Sequence, residues 1–162
     1  PGLFMRKGIN SASLDPSIGA EPTGNFLAEK QLLLGMKRTY LALADKTIQI
    51  FGAKVAGEQE ILLSLADAAI QTFALESALL RAEKAAVTVA GDKLPLYQAV
   101  ARVCTFRAKQ QFVDATEKCA VYLGDEALLN AIAGEIAYNP SNLLAAKRLL
   151  ANATSQTEKY IF

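Results

Sequence analysis

Histidine is absent from the 162 residues, and so is tryptophan. Without imidazole there is no His general base, no Ser-His-Asp or Cys-His arrangement, and no Glu-x-x-His ligand pair of the kind that holds a di-iron centre in a helical bundle. Cysteine is scarce. Cys104 and Cys119 lie 15 residues apart on one predicted helix, roughly 22 Å along its axis, so they cannot bridge each other within it. They read as small buried hydrophobes in a reducing compartment, and two distant thiols without imidazole are a poor metal set. No G-x-G-x-x-G or P-loop pattern occurs, and Gly52, Gly57 and Gly91 stand as isolated helix or turn glycines. No residue of this chain is therefore assigned a catalytic, cofactor-binding or metal-ligating role.

An excess of one charge is lacking too. Seventeen basic and 16 acidic residues leave a net charge of +1, with both signs dispersed, which gives nucleic-acid binding no support. The tight basic pairs Arg6-Lys7, Lys37-Arg38 and Lys147-Arg148 read as solvated helix faces. No uninterrupted run of 18 apolar residues occurs, since a charged residue breaks each candidate stretch, so no transmembrane span is expected. No secretory signal pattern appears, and a cytoplasmic location is expected. The chain opens on Pro1 without an initiator Met, which fits a processed chain or an excised piece.

What the chain does have is apolar helix. Apolar residues make up 52% of it and mean hydropathy is +0.20, enough for one domain with a real core. That excess fits either a surface meant to be covered or a well-filled core with many alanines. It peaks over residues 54–84, where Ile61, Leu65, Ala69, Phe73 and Leu80 make helical steps while Leu62, Leu63, Ala66, Ile70, Leu75 and Leu79 widen the stripe until little polar face remains. Such a helix needs partners on several sides. Gly57 is expected to end the preceding helix in a left-handed conformation, with Glu58 and Glu60 favouring the new N-terminus.

The spacing predicts an all-α fold: an antiparallel up-down bundle of three long helices closed by two short C-terminal ones. Residues 1–25, with Pro1, Pro16 and Pro22 among Gly2, Gly8, Gly19 and Gly24, read as a connector. The bundle covers 26–154 and a tail 155–162. The first helix is predicted over 26–56, capped by Asn25, with Leu33, Met36, Tyr40, Leu43, Ala44, Ile48, Phe51 and Val55 inward. The second runs to about residue 89. After Gly91-Asp92, Pro95 opens a third that reaches Leu123, with Tyr97, Ala101, Ala108, Phe112, Ala115, Cys119 and Tyr122 on one side. Asp125 caps a fourth to about 135, and Asn139-Pro140 starts a fifth over 140–152.

The stretch GEQEILLSLADAAIQTFALESALLRAEK, residues 57–84, resembles the EQ, LAD and ESALLR segments in the C-terminal helical region of acyl-CoA dehydrogenases, especially the very-long-chain-like type. Residues 139–148, NPSNLLAAKR, are similar to the family's late helix, and the ending Glu158-Lys159-Tyr160-Ile161-Phe162 to the N-K-Y-x-F ending of many bacterial members. The start, PGLFMRK, resembles the segment that closely follows the family's catalytic glutamate. The resemblance spans essentially the whole chain, with departures over residues 10–23 and at Gly35 and Gly52. It implies a parent enzyme that uses FAD to take an α,β pair of hydrogens from a fatty acyl-CoA thioester and passes electrons to an electron-transfer flavoprotein. This chain would lie downstream of that chemistry, without the flavin site, the thioester site or the base. Its expected role is packing on the catalytic domain of the same parent chain, dimerisation into a homo-oligomer, or surface docking.

Two carboxylates on the second helix, Glu76 and Asp67, sit among apolar neighbours. A buried carboxylate can serve as acid or base, but an ion pair with Arg81, Arg102 or Arg107 is the favoured reading. Very-long-chain relatives associate with membrane surfaces through this region; Leu3, Phe4, Met5 and Ile9 beside Arg6 and Lys7 fit a short interfacial helix, though docking on the parent explains them better. The alternative function is a free-standing helical scaffold or adaptor that binds partner helices.

Overall fold

The computed structural model describes residues 25–88 and 93–157. Its elements are α1 (Leu27–Phe51), a 3-10 segment (Gly52–Gly57), α2 (Gln59–Thr88), α3 (Leu94–Leu123), α4 (Glu126–Glu135) and α5 (Leu143–Thr157). Three long helices and two short ones are what the spacing predicts. Ion pairs report the chain directions. Lys37 meets Glu76 while Lys30 meets Glu83, so an advance along α1 is a retreat along α2. Arg38–Glu135 and Lys46–Asp125 show the same for α1 and α4. Between α2 and α3, Asp67 faces Asp114 at one end and Ala78 faces Cys104 further along. α2 with α3 is the most extensive helix pairing, and α5 packs on α3.

The helix ends follow local chemistry, with four departures from expectation. Gly52, not Gly57, takes the left-handed φ of 51° and ends α1, its N–H bonding Ile48 O; the six residues that follow wind as a 3-10 helix instead of extending α1. Asn25 does not cap α1. Phe26 holds that position at φ 59° and gives no side-chain bond, while its carbonyl accepts from Lys30 N at 2.9 Å. α5 starts at Leu143 instead of 140, because Asn142 takes φ 61° just before it and its carbonyl accepts from Ala146 N. It then runs on to Thr157, past the expected end. Other signals hold: Pro95 lies in the first turn of α3, Gly124 ends it at φ 67°, and the Asp125 carboxylate accepts from Leu128 N at 2.9 Å. Gly91-Asp92, most of the connector and the last five residues lie outside the described residues.

The core is centred on Phe112, Leu32, Met36, Leu43 and Leu75, each essentially inaccessible and worth roughly 1.5–3 kcal/mol of transfer free energy. On α1 the buried line is Leu32, Met36, Thr39, Leu43 and Thr47, whereas Leu33, Tyr40 and Ala44 are half-buried and Ile48 is exposed. The inward face is thus rotated by about one residue from the purely apolar stripe. Threonine makes this tolerable. Thr47 donates to Leu43 O (2.7 Å), Thr72 to Ala68 O (2.9 Å) and Thr116 to Phe112 O (2.8 Å), so each hydroxyl is satisfied inside its own helix while its methyl packs.

Candidate interaction surface

α2 has two apolar faces. One carries Ile61, Leu65, Ala68, Thr72, Leu75, Leu79 and Ala82 into the core. On the opposite side, Leu63, Ala66, Ile70, Phe73, Ser77 and Leu80 recur at alternating steps of three and four, continued by Lys84 and Val87. That is heptad spacing, which draws a seam that drifts only about 20° per heptad around the helix. Of the several sides on which α2 calls for partners, this one is bare: Phe73 is 72% exposed, Leu63 65%, Leu80 61%, Ile70 58% and Val87 83%. Among the described residues α2 packs mainly on α3 and α1, with a smaller contact to the 3-10 segment, and its buried residues lie on the inner face.

The same double-sided character makes α2 long and apolar enough to cross a membrane by length and composition alone. Its surroundings are those of a bundle helix. The inner face is packed, and Glu76 and Glu83 are paired across to α1.

Charged groups flank the seam. On the α1 side, Glu76 accepts from Lys37 Nζ at 2.7 Å and Glu83 pairs with Lys30; the partner of Glu76 is thus a lysine of α1, not Arg81, Arg102 or Arg107. A sequence cannot place Lys37 opposite Glu76 before the helix order and register are known. On the α3 side Asp67 is exposed, in an open groove of about 560 Å³ lined by Gln71, Gln110, Gln111 and Asp114. Asp114 bonds Lys118 at 2.7 Å, which raises the lysine pKa, and the Asp67 charge adds to that shift. A second groove of about 260 Å³ continues along α2 past Ala74 and Ala78 to Cys104 and Arg107.

These grooves do not assemble a reactive set. Cys104 is a free thiol pushed above its usual pKa by burial, with Arg107 opposing only in part, and Cys119 is likewise raised by burial against a bond to Thr47. Neither is poised as a thiolate. Among the described residues no three His, Cys, Asp or Glu groups gather to hold a metal ion. The remaining polar cluster is structural: Tyr138 donates to Glu29 at 3.0 Å, and Lys109 donates to the Tyr138 carbonyl at 2.9 Å, tying the α4–α5 link to α1 and α3. Burial first, then the Glu29 charge and bond, push the Tyr138 phenol well above its usual pKa.

The class defined by this architecture is an all-helical module with a packed core and an uncovered apolar seam. The family follows from comparison with known proteins: the model described as "Acyl-CoA dehydrogenase, C-terminal domain" matches residues 35–134, and the chain belongs to that family. A "Probable acyl-CoA dehydrogenase" of Bacillus subtilis (strain 168) is 28% identical over 146 residues, covering 86% of this chain and 24% of the relative. The crystal structure of an acyl-CoA dehydrogenase complexed with FAD from Bacillus anthracis superposes with a TM-score of 0.79 at 23% identity, over 91% of this chain and 26% of that one; it shares the fold. The chain thus spans about a quarter of the length of both.

Proposed function

We propose that this chain is the C-terminal helical module of an FAD-dependent acyl-CoA dehydrogenase of the very-long-chain-like type, non-catalytic in itself. The parent would oxidise a fatty acyl-CoA thioester at its α,β bond with FAD and hand the electrons to an electron-transfer flavoprotein. The module would hold the assembly together through its apolar faces. One observation carries the reading: a chain that matches the family over residues 35–134 leaves large apolar side chains bare on several helices, among them Phe73 on α2, Val121 on α3 and Leu144 on α5. On α2 the bare residues Leu63, Ile70, Phe73 and Leu80 follow one another along a single face, and a contiguous apolar patch of that kind fits a contact surface.

The full-length parent provides the test. Its flavin should bleach on addition of a fatty acyl-CoA, and the rate of bleaching should be unchanged within about twofold by Asp67→Asn or Glu76→Gln. Loss of flavin reduction in either variant, with folding and FAD content retained, would place chemistry in this module and defeat the proposal.

A further inference from the structure

We infer that the outer seam of α2 is a self-pairing surface on which α2 of a second copy of this chain lies antiparallel. A heptad seam read against its own reverse must match apolar layers and flanking charges simultaneously, and this one does. Setting Phe73 against Ser77 of the second copy places Ile70 against Leu80, Leu63 against Val87 and Ala66 against Lys84, each contact occurring twice about a two-fold axis. Large residues then meet small or aliphatic ones. The Lys84 layers, one in from each end, are the charged ones, where the lysine stem can pack and its ammonium reach water, while Ser77 brings only a small hydroxyl to the central layers.

The flanks agree with the same register. On the α3 side it sets Asp67 against Arg81 of the second copy, and Arg81 against Asp67, with Ala74 meeting Ala74 close to the axis. Both charged residues are exposed and neither has an ion pair among the described residues. The surface behind them is polarised likewise, with Asp114 beside Asp67 and Arg107 further along the groove. Lys118 near Asp67 opposes this pattern, but it is engaged with Asp114. On the α1 side two Glu76 residues approach each other, each neutralised by Lys37 of its own copy. Five bare side chains exposing on the order of 100 Å² each, with their flanks, offer roughly 600 Å² per copy, near the approximately 800 Å² per partner of a standard stable interface.

Sedimentation equilibrium of the chain tests this independently of the parent's chemistry. The wild type should self-associate as a dimer. Asp67→Arg places like charges opposite each other and should weaken association at least tenfold, as should Arg81→Asp. The double variant restores opposite charges at both contacts and should recover most of the loss. Phe73→Glu should give a monomer of unchanged helical content, since that side chain is largely outside the core. A monomeric wild type, or failure of the double variant to recover, overturns the pairing. So does Phe73→Glu abolishing binding to anionic vesicles or loosening the segment from the rest of the full-length parent without changing subunit number; those outcomes assign the seam to a lipid surface or to the catalytic portion.

Discussion

Gly35 on α1 lies so close to the carbonyl of Glu135 on α4 that a Cβ built at residue 35 stands 2.5 Å from that oxygen. The contact is backbone, so no side-chain rotation relieves it, and glycine is there because α1 and α4 touch. Gly35→Ala gains about 1 kcal/mol of helix propensity but must displace α4, at about 1–3 kcal/mol or more for overpacking. The expected net is a loss of roughly 1–2 kcal/mol in urea unfolding. Gly134→Ala is the control. A Cβ there meets nothing within 4 Å, so that substitution in α4 should be neutral or stabilising by up to about 1 kcal/mol.

Thr105 is fully buried on α3, and its hydroxyl has no hydrogen-bond partner among the described residues. Replacing it with valine keeps the shape and removes a desolvated polar group. Thr105→Val should raise stability by about 1 kcal/mol. Thr116→Val removes a hydroxyl that bonds Phe112 O and Val113 O and should not gain. Parallel denaturant melts of the two variants decide the matter, and equal effects would contradict it.

Helix existence and order were legible because each break carries its own residue chemistry: Gly124 followed by Asp125 stops α3 and caps α4, and Pro95 starts α3. Two features escaped a count of apolar residues. The inward line of α1 includes Thr39 and Thr47, polar by composition but buried, so the apolar stripe pointed about one residue off. Phe73 and Leu80 are as apolar as Leu75 and Leu79, yet they face outward. Hydrophobicity reports that a face wants cover and does not report which molecule supplies it. Their steps of three and four with Leu63, Ile70 and Val87 could have revealed a second seam. The Tyr138–Glu29 bond spans 109 residues and leaves no sequence signal.

Glu76 and Lys37 test how much the α1–α2 ion pairs contribute. The pair is 2.7 Å long, with the Glu76 side chain 38% and the Lys37 side chain 22% exposed, so water screens much of it. Glu76→Gln should cost less than about 1 kcal/mol, and Lys37→Met a similar amount. A double-mutant cycle by thermal unfolding should return a coupling of a few tenths of a kcal/mol. A coupling of several kcal/mol would mean that the pair is sealed from solvent.

Tyr138 makes the stability of the fold sensitive to alkali. Its neutral phenol donates to Glu29; ionised, it would be a half-buried phenolate facing a carboxylate, so its pKa is raised in the folded chain. Below the ordinary tyrosine pKa of about 10 both folded and unfolded chains hold the proton, and the stabilisation is complete. As pH rises past that value the unfolded chain releases the proton first, and stability falls until the folded-state pKa is reached. Tyr138→Phe should cost about 1 kcal/mol at neutral pH for the lost hydrogen bond and should flatten the alkaline decline. The check is the unfolding free energy of wild type and variant between about pH 8 and pH 12, read beside phenolate absorbance. Parallel curves would show that Tyr138 ionises no differently in the folded and unfolded chain, and that the Glu29 contact does not hold its proton.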